Sequence, residues 1–196
     1  MTTPVATVRL FIALPTPAEV KQAMADVLAR LRTTQADVRW ETGGKLHATL
    51  RFLGDTDERL VPRIRESLEA IAAATPPCTV TYRSLGCFPD KRNPRVIWIG
   101  MEDPSDTLRR LNAEIEESVR AIGFEPEDRE FHPHVTLGRV KSRRNVASLL
   151  AMMESLTFQS NPVTIRDIHL IRSELKPTGS VHTIMASPTF IGKEDP

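Results

Sequence analysis

A short motif, His-x-Thr-Leu, occurs twice in this 196-residue chain, as HATL at residues 47–50 and as HVTL at residues 134–137. Each copy lies in a short run in which apolar and polar residues alternate, which is typical of a half-buried strand. Successive side chains of a strand point to opposite faces. Each strand would therefore present an imidazole and a hydroxyl on one face and anchor its other face in a core.

Two histidines brought together in this way can perform acid/base chemistry. The unperturbed pKa of histidine is about 6.5, so one of His47 and His134 can be neutral and accept a proton while the other is charged and donates one. This division suits displacement at phosphorus, where water loses a proton and a leaving alkoxide gains one, each transfer contributing roughly 10²–10⁴ in rate. Thr49 and Thr136 are short donors that suit non-bridging phosphate oxygens. None of these steps requires a metal ion.

The surrounding elements repeat in the two halves of the chain. Apolar runs and helical spacing predict strands at residues 9–14, 38–40, 46–53 and 78–88, and helices at 18–31 and 57–74. We expect Thr16 to cap the first helix, with Pro17 at its first position. The second half predicts strands at 95–100, 131–140, 163–175 and 180–186, and helices at 103–122 and 146–156.

Each half therefore has the order strand, helix, motif strand, helix, strand. This duplication predicts an α+β fold of two lobes, each an antiparallel or mixed sheet with its helices packed on one side. We expect residues 1–196 to form one bilobal domain in which the two lobes interleave.

Composition places the chain among ordinary globular proteins, with 40% hydrophobic and 26% charged residues and two cysteines without metal-type spacing. The net charge of +1 argues neither for nor against nucleic acid, so affinity for an anion must be local. Two basic clusters are present, at Arg139, Lys141, Arg143 and Arg144, and at Lys91, Arg92 and Arg95. The first residues do not resemble a signal peptide and no segment has the length of a membrane span, so we expect a cytoplasmic protein without membrane association.

The segments HATLRFLG and FHPHVTLGR resemble the paired signatures of the 2H phosphoesterase superfamily. They are most similar to the branch of RNA 2′,3′-cyclic phosphodiesterases, also called LigT-like 2′–5′ RNA ligases. RLFIALP and PRVIWIG resemble the same branch in the same order, so the resemblance extends to about residue 141. The segment SELKPTGSVHTIM is less similar, because related proteins often carry an aromatic residue, commonly Tyr, near the position of His182.

The resemblance implies a bilobal, pseudo-twofold fold with an active-site groove between the lobes. It also implies hydrolysis of a ribose 2′,3′-cyclic phosphate to a 2′-phosphomonoester without a metal or another cofactor, on RNA ends or nucleotides, by a protein expected to be a monomer. His47 would be the general acid and His134 the base, although the residues themselves do not decide between the two roles. Thr49 and Thr136 would bind the phosphate. The reverse reaction, ATP-independent 2′–5′ RNA ligation, stays open.

Two further residues occupy the same position after each motif. Arg139 lies five residues after His134, and Phe52 lies five residues after His47, so strict alternation turns both away from the histidine face. The arginine of the family nevertheless reaches the phosphate or nucleotide, which would need a β-bulge or a strand end at this point. Phe52 would then stack on a base, whereas the ordinary interpretation of this residue is a core phenylalanine.

Several alternatives follow from the residues alone. His132 shares the face of His134 and suggests a metal pair, but no cysteine or acidic partner has suitable spacing. Trp40 and Trp98 are expected in the core, and the role of His182 stays open. A non-catalytic RNA- or nucleotide-binding module of the same fold is the alternative function. The presence of both histidines and both threonines favours the enzyme.

Overall fold

The computed structural model describes residues 6–177 and 179–193. Within them, nine strands and four α-helices follow one another along the chain. In order they are β1 (Thr7–Pro15), α1 (Ala18–Arg32), β2 (Val38–Trp40), β3 (His47–Asp57), α2 (Val61–Ala74), β4 (Cys78–Phe88), β5 (Val96–Glu102), α3 (Thr107–Ile122), β6 (His134–Val140), α4 (Val146–Ser155), β7 (Val163–Ile165), β8 (His169–Lys176) and β9 (Gly179–Ala186).

The strands form one sheet in the order β7-β4-β5-β6-β3-β1-β8-β9, with β2 paired to β6. Every pairing between these strands is antiparallel. The predicted α+β class is confirmed, and of the two sheet types expected, the structure has the antiparallel one. The two motif strands β3 and β6 are neighbours near the middle of the sheet.

One strand from each half of the chain pairs with a strand of the other half. β4 follows the first motif in sequence but pairs with β5, beside the second motif. β8 follows the second motif but pairs with β1, beside the first. Each motif strand itself adjoins strands of both halves, because β3 pairs with β1 and β6, and β6 pairs with β5, β3 and β2. The description of residues 1–196 as a single bilobal domain stays a prediction.

The helices cover one face of the sheet, where alternate strand residues meet their apolar stripes. Leu10, Ile12 and Leu14 of β1 are almost fully buried there, together with Met24 of α1 and Leu68 of α2. Each such side chain contributes roughly 1.5–3 kcal/mol to folding by leaving water. On the opposite face, Phe11, Ala13 and Ile171 form a small buried apolar cluster. Side chains on that open face are therefore available for chemistry.

Three helix starts differ from the prediction, and one of them is that of α2, which begins at Val61 and not at residue 57. Thr16 is not the cap of α1, because Pro17 occupies the N-cap position and Thr16 is buried. α3 begins at Thr107 and not at Asp103. The carboxylate of Asp103 accepts a hydrogen bond of 2.6 Å from the backbone N–H of Leu108, which holds the chain in a turn before the helix.

Strand boundaries also differ in three places. β3 does not end at Gly54 but continues to Asp57, because Gly54 adopts a φ of +70° that lets the strand bend without breaking. A short 3₁₀ turn at Glu58–Leu60 then precedes α2. β6 begins only at His134, because the preceding proline has no N–H for the ladder. The predicted strand at 163–175 forms two strands, β7 and β8.

Candidate active site

The two motifs meet at a single residue pair in the middle of the sheet. Ala48 of β3 pairs with Val135 of β6 in antiparallel register. The flanking residues on the open face then lie crosswise, with His47 opposite Thr136 and Thr49 opposite His134. In a regular antiparallel pair such diagonal partners, here the two histidines, are roughly 7–8 Å apart, and their Cβ atoms are somewhat closer. The fold thus brings all four motif side chains together around one point.

Both motif strands contain a β-bulge at the leucine of the motif. On β3, Ala13 pairs with Thr49 while the preceding Ile12 pairs with Arg51, so Leu50 is skipped. On β6, Trp98 pairs with Thr136 and Ile97 pairs with Gly138, so Leu137 is skipped. Leu50 and Leu137 hold the same place in the two copies of the motif. The duplication therefore includes the irregularity of the strand as well as the residues.

The bulges turn Phe52 and Arg139 back onto the histidine face, which corrects the expectation from strict alternation. Phe52 pairs with Phe11, the two ring centroids are 5.9 Å apart, and 48% of the Phe52 side chain is exposed. Phe52 is therefore not a core residue. Arg139 is exposed and lies between Val96 of β5 and Arg39 of β2 on the same face. The bulge that the arginine required for access to the site is present.

Helix α3 holds the bulge of β3 from behind. The side-chain amide of Asn112 donates to the carbonyl of Leu50 at 2.9 Å. Arg51, only 9% exposed, points toward the helices and donates to the carbonyl of Phe52 at 2.7 Å and to the carboxylate of Glu116 at 2.6 Å. These bonds satisfy carbonyls that a bulge takes out of the ladder. Arg51 is thus a structural residue that fixes the direction of Phe52.

His47 is packed among rings on the open face. Its imidazole stacks on Phe11 with centroids 4.9 Å apart, and the edge of His182 approaches it at 5.5 Å. Burial lowers the pKa of His47 from 6.5 to about 4, and the charges of His182 and Lys21 act in the same direction. In the free protein at neutral pH this imidazole is therefore uncharged.

His134 is oriented by the backbone. Its Nδ1 lies 2.7 Å from the carbonyl oxygen of His132, which accepts the Nδ1–H and leaves Nε2 as the proton acceptor of the neutral ring. The ring of Phe88 contacts it edge-on at 5.1 Å. Burial lowers the pKa of His134, although the bond to the His132 carbonyl opposes this shift. A neutral, oriented imidazole is suited to accept a proton.

Trp98 belongs to this face and not to the core, contrary to the prediction. Its ring centroid lies 6.2 Å from that of His134 and 5.1 Å from that of Phe88. Gly86 on the neighbouring strand makes room for the indole, since a Cβ there would clash with its ring atoms. The signal was present in the alternation of residues 97–99, where a tryptophan stands between two isoleucines that are both buried in the core.

Phe11, Phe88 and His182 are further site neighbours that sequence reasoning did not assign. Phe11 and Phe88 lie in apolar stretches, so their types alone indicated a core, and only the pairing of the strands shows that they adjoin His47 and His134. His182 on β9 contacts Phe11 with ring centroids 5.1 Å apart. Its Nδ1 is buried and has no hydrogen-bond partner in the described part of the chain.

Within residues 6–177 and 179–193, no three or more His, Cys, Asp or Glu side chains are grouped so that they could hold a metal ion. His132 is exposed, and its Nε2 lies 3.7 Å from the carboxylate of Glu130. No helix in these ranges is long and apolar enough to cross a membrane.

Known proteins are similar to this chain in sequence and in fold. The profile of the 2′-5′ RNA ligase superfamily matches residues 15–177. The RNA 2′,3′-cyclic phosphodiesterase of Aeropyrum pernix is 34% identical over 164 residues, which cover 81% of this chain and 92% of that protein. The protein of the same name from Methanothermobacter thermautotrophicus is 32% identical over 181 residues, which cover 91% of this chain and 96% of that protein. The crystal structure of the protein TT0787 of Thermus thermophilus superimposes with a TM-score of 0.80 at 26% identity, over 95% of this chain and 100% of that one.

Proposed function

The chain belongs to the 2′-5′ RNA ligase superfamily, and from that membership we propose that it hydrolyses the 2′,3′-cyclic phosphate of RNA ends or nucleotides to a 2′-phosphomonoester. The observation that carries this proposal is the crosswise arrangement of two histidines and two threonines about the Ala48–Val135 pair. The arrangement supplies two imidazoles and two hydroxyls on one open face. The names of the relatives, RNA 2′,3′-cyclic phosphodiesterase, supply the substrate class.

In this proposal each imidazole moves one proton. Water attacks phosphorus as His134 accepts its proton at Nε2, the nitrogen left free by the bond from Nδ1 to the His132 carbonyl. The bond from phosphorus to the 3′-oxygen breaks, and His47 donates a proton to that oxygen. Thr49 and Thr136 donate hydrogen bonds to the non-bridging oxygens, whose charge distribution changes in the transition state. No step calls for a metal or another cofactor.

The low pKa of His47 is compatible with the acid role once substrate is bound. In the free protein the ring is neutral, because its pKa is lowered to about 4. A cyclic phosphate is an anion, and an adjacent negative charge favours the imidazolium and raises its pKa. The bound substrate therefore increases the fraction of His47 that is in the protonated state needed for the reaction.

The residues turned by the bulges would bind the rest of the substrate. Arg139 is exposed one place beyond Thr136 on the histidine face, where its guanidinium would contact the phosphate. Phe52 is exposed on the histidine face of β3, where it would stack on the base. These roles extend the acid/base proposal to a complete nucleotide site.

Purified protein mixed with a nucleoside 2′,3′-cyclic phosphate tests the proposal. We expect release of the nucleoside 2′-phosphate, at the same rate with and without EDTA. Binding of the cyclic nucleotide without turnover would support the alternative of a binding module. Turnover abolished by EDTA and restored by a divalent cation would contradict the metal-independent mechanism.

We propose in addition that the same site joins RNA ends, because ligation is the same displacement of the 3′-oxygen at the same phosphorus with an RNA hydroxyl as the nucleophile. The 5′-hydroxyl of a second RNA would replace water, and the 3′-oxygen would again leave. Incubation of an RNA with a 2′,3′-cyclic end and an RNA with a 5′-hydroxyl end, without ATP, should give a 2′–5′ linked product. If no linked product forms when both RNA ends are present at millimolar concentration, the activity of the protein is restricted to hydrolysis. A monomeric state and a cytoplasmic location stay predictions.

A further inference from the structure

Two arginines face each other across the β2–β6 pairing, beside the candidate site. Arg39 of β2 is the register partner of Arg139 of β6, so both side chains point to the face that carries the histidines. Both residues are exposed. Neither forms an ion pair with a carboxylate in the part of the chain that the structure describes, although Asp37 and Glu41 lie two residues to either side of Arg39.

Such a pair is unfavourable unless an anion joins it. Like charges directly opposite each other in an antiparallel pair are destabilising. Arg51, another arginine of a motif strand, has partners within the protein. Its guanidinium is surrounded by Glu116, Glu127 and two backbone carbonyls. Arg39 and Arg139 are left with two guanidinium groups directed at solvent. This contrast indicates an external partner that carries negative charge.

The position of the two arginines beside the candidate site indicates which molecule carries this negative charge. Because Leu137 is bulged, Arg139 is the next residue after Thr136 on the histidine face, one backbone repeat from the candidate site. The basic segment that follows β6 lies on the far side of the pair. There the N–H of Lys141 donates to the carbonyl of Asp37 at 2.8 Å, and the N–H of Asp37 donates to the carbonyl of Arg144 at 3.4 Å. Positive charge thus continues outward from the site in one direction.

We propose that Arg39 binds the phosphodiester on the 5′ side of a 2′,3′-cyclic end while Arg139 contacts the reacting phosphate, so that an RNA strand is a better substrate than a mononucleotide. A guanidinium fork fits two oxygens of a phosphate, and two neighbouring forks fit two successive phosphates of one strand. A cyclic mononucleotide has no second phosphate and leaves Arg39 unused. The inference rests on the proposed function, which it refines by naming the substrate.

A comparison of two substrates tests this subsite. One is a nucleoside 2′,3′-cyclic phosphate, and the other is a trinucleotide that ends in the same cyclic nucleoside. We expect kcat/KM of the unchanged protein to be about 10-fold higher for the trinucleotide, the size of a charge-assisted contact. The advantage should shrink as salt is raised, because phosphate contacts release counterions. Arg39→Gln should remove most of this advantage, and Arg39→Lys should keep part of it.

The matched control is Arg65→Gln, since Arg65 is exposed on α2 on the opposite side of the sheet. This variant should keep the ratio of the two substrates. Equal kcat/KM for both substrates, or an Arg39→Gln variant that loses activity equally on both, would overturn the inference. The affinities of the two products, the nucleoside 2′-phosphate and the trinucleotide 2′-phosphate, are measured alongside. If neither substrate is hydrolysed, the proposed function fails, and an Arg39-dependent difference in product affinity still decides on the subsite.

Discussion

The two histidines occupy unlike surroundings, and this difference bears on their roles. His47 is stacked on Phe11 and approached by His182, so burial and a neighbouring charge both favour its neutral form. His134 donates to a backbone carbonyl, which fixes its tautomer and partly offsets the effect of burial on its pKa. The sequence motif alone treats the two residues as equivalent.

Removal of either imidazole should be costly. We expect His47→Ala and His134→Ala each to lower kcat by at least about 10²-fold, because each deletes one proton transfer. Thr49→Ala and Thr136→Ala should cost less, because a hydroxyl contributes a hydrogen bond and not a proton. Steady-state rates on a nucleoside 2′,3′-cyclic phosphate measure both effects, with thermal unfolding as the control for folding. Full activity in a folded histidine variant would remove the basis of the mechanism.

The assignment of acid and base has its own test. In a cyclic phosphorothiolate with sulfur in place of the leaving 3′-oxygen, the thiolate leaves without a proton. We expect His47→Ala to hydrolyse this substrate at close to the rate of the unchanged protein, and His134→Ala to stay impaired by about 10²-fold or more. The opposite pattern would make His134 the general acid and His47 the general base, and both histidines would remain catalytic.

The pKa values predict how the rate depends on pH. The active form carries one proton on the pair, so its population lies between two pKa values, and in the free protein both are below 6.5. We therefore expect a bell-shaped profile of kcat/KM with its maximum below pH 6.5. The profile of kcat should lie at higher pH, because the bound anion raises both values. A kcat/KM that rises steadily through neutrality would indicate hydroxide or a metal-bound nucleophile.

At the scale of elements, the bulges decide which side chains reach the site. Periodicity predicted both motif strands and the faces of His47 and His134 correctly, because alternation holds from the first motif residue to the third. It failed for Phe52 and Arg139, since a leucine at the bulge is no different in type from a leucine in a regular strand. The strand-to-helix contacts made by Arg51 and Asn112, which hold the bulge, join residues distant in sequence and leave no local signal.

Arg51 should therefore matter for stability more than an exposed arginine does. Arg51→Met leaves Glu116 without its 2.6 Å partner and frees the carbonyl of Phe52, so we expect the free energy of unfolding to fall by about 3 kcal/mol. Arg59→Met is the matched control, because Arg59 pairs with Asp57 at an exposed position, where an ion pair adds little to stability, so we expect a much smaller loss. Urea denaturation measures both changes, and equal losses would contradict a special role of Arg51.

At the scale of the whole molecule, the duplication was visible in the sequence but the exchange of strands was not. Hydrophobic patterns place β4 and β8 as strands and do not specify their partners. The pairing of β2 with β6 is equally hidden, and it is this pairing that places Arg39 opposite Arg139. The sequence therefore predicted the family and the fold class, whereas the extent of the binding surface depends on long-range pairing.

One crystal structure tests the central claim that imidazoles from two halves of the chain flank one phosphorus. The protein would be crystallised with a nucleoside 2′-phosphate, the expected product. We predict that ring nitrogens of His47 and His134 each lie within about 3.2 Å of a phosphate oxygen, on opposite sides of the phosphorus, with the threonine hydroxyls on the remaining oxygens. A phosphate that contacts only one of the two rings, or that binds away from the Ala48–Val135 pair, would contradict the claim.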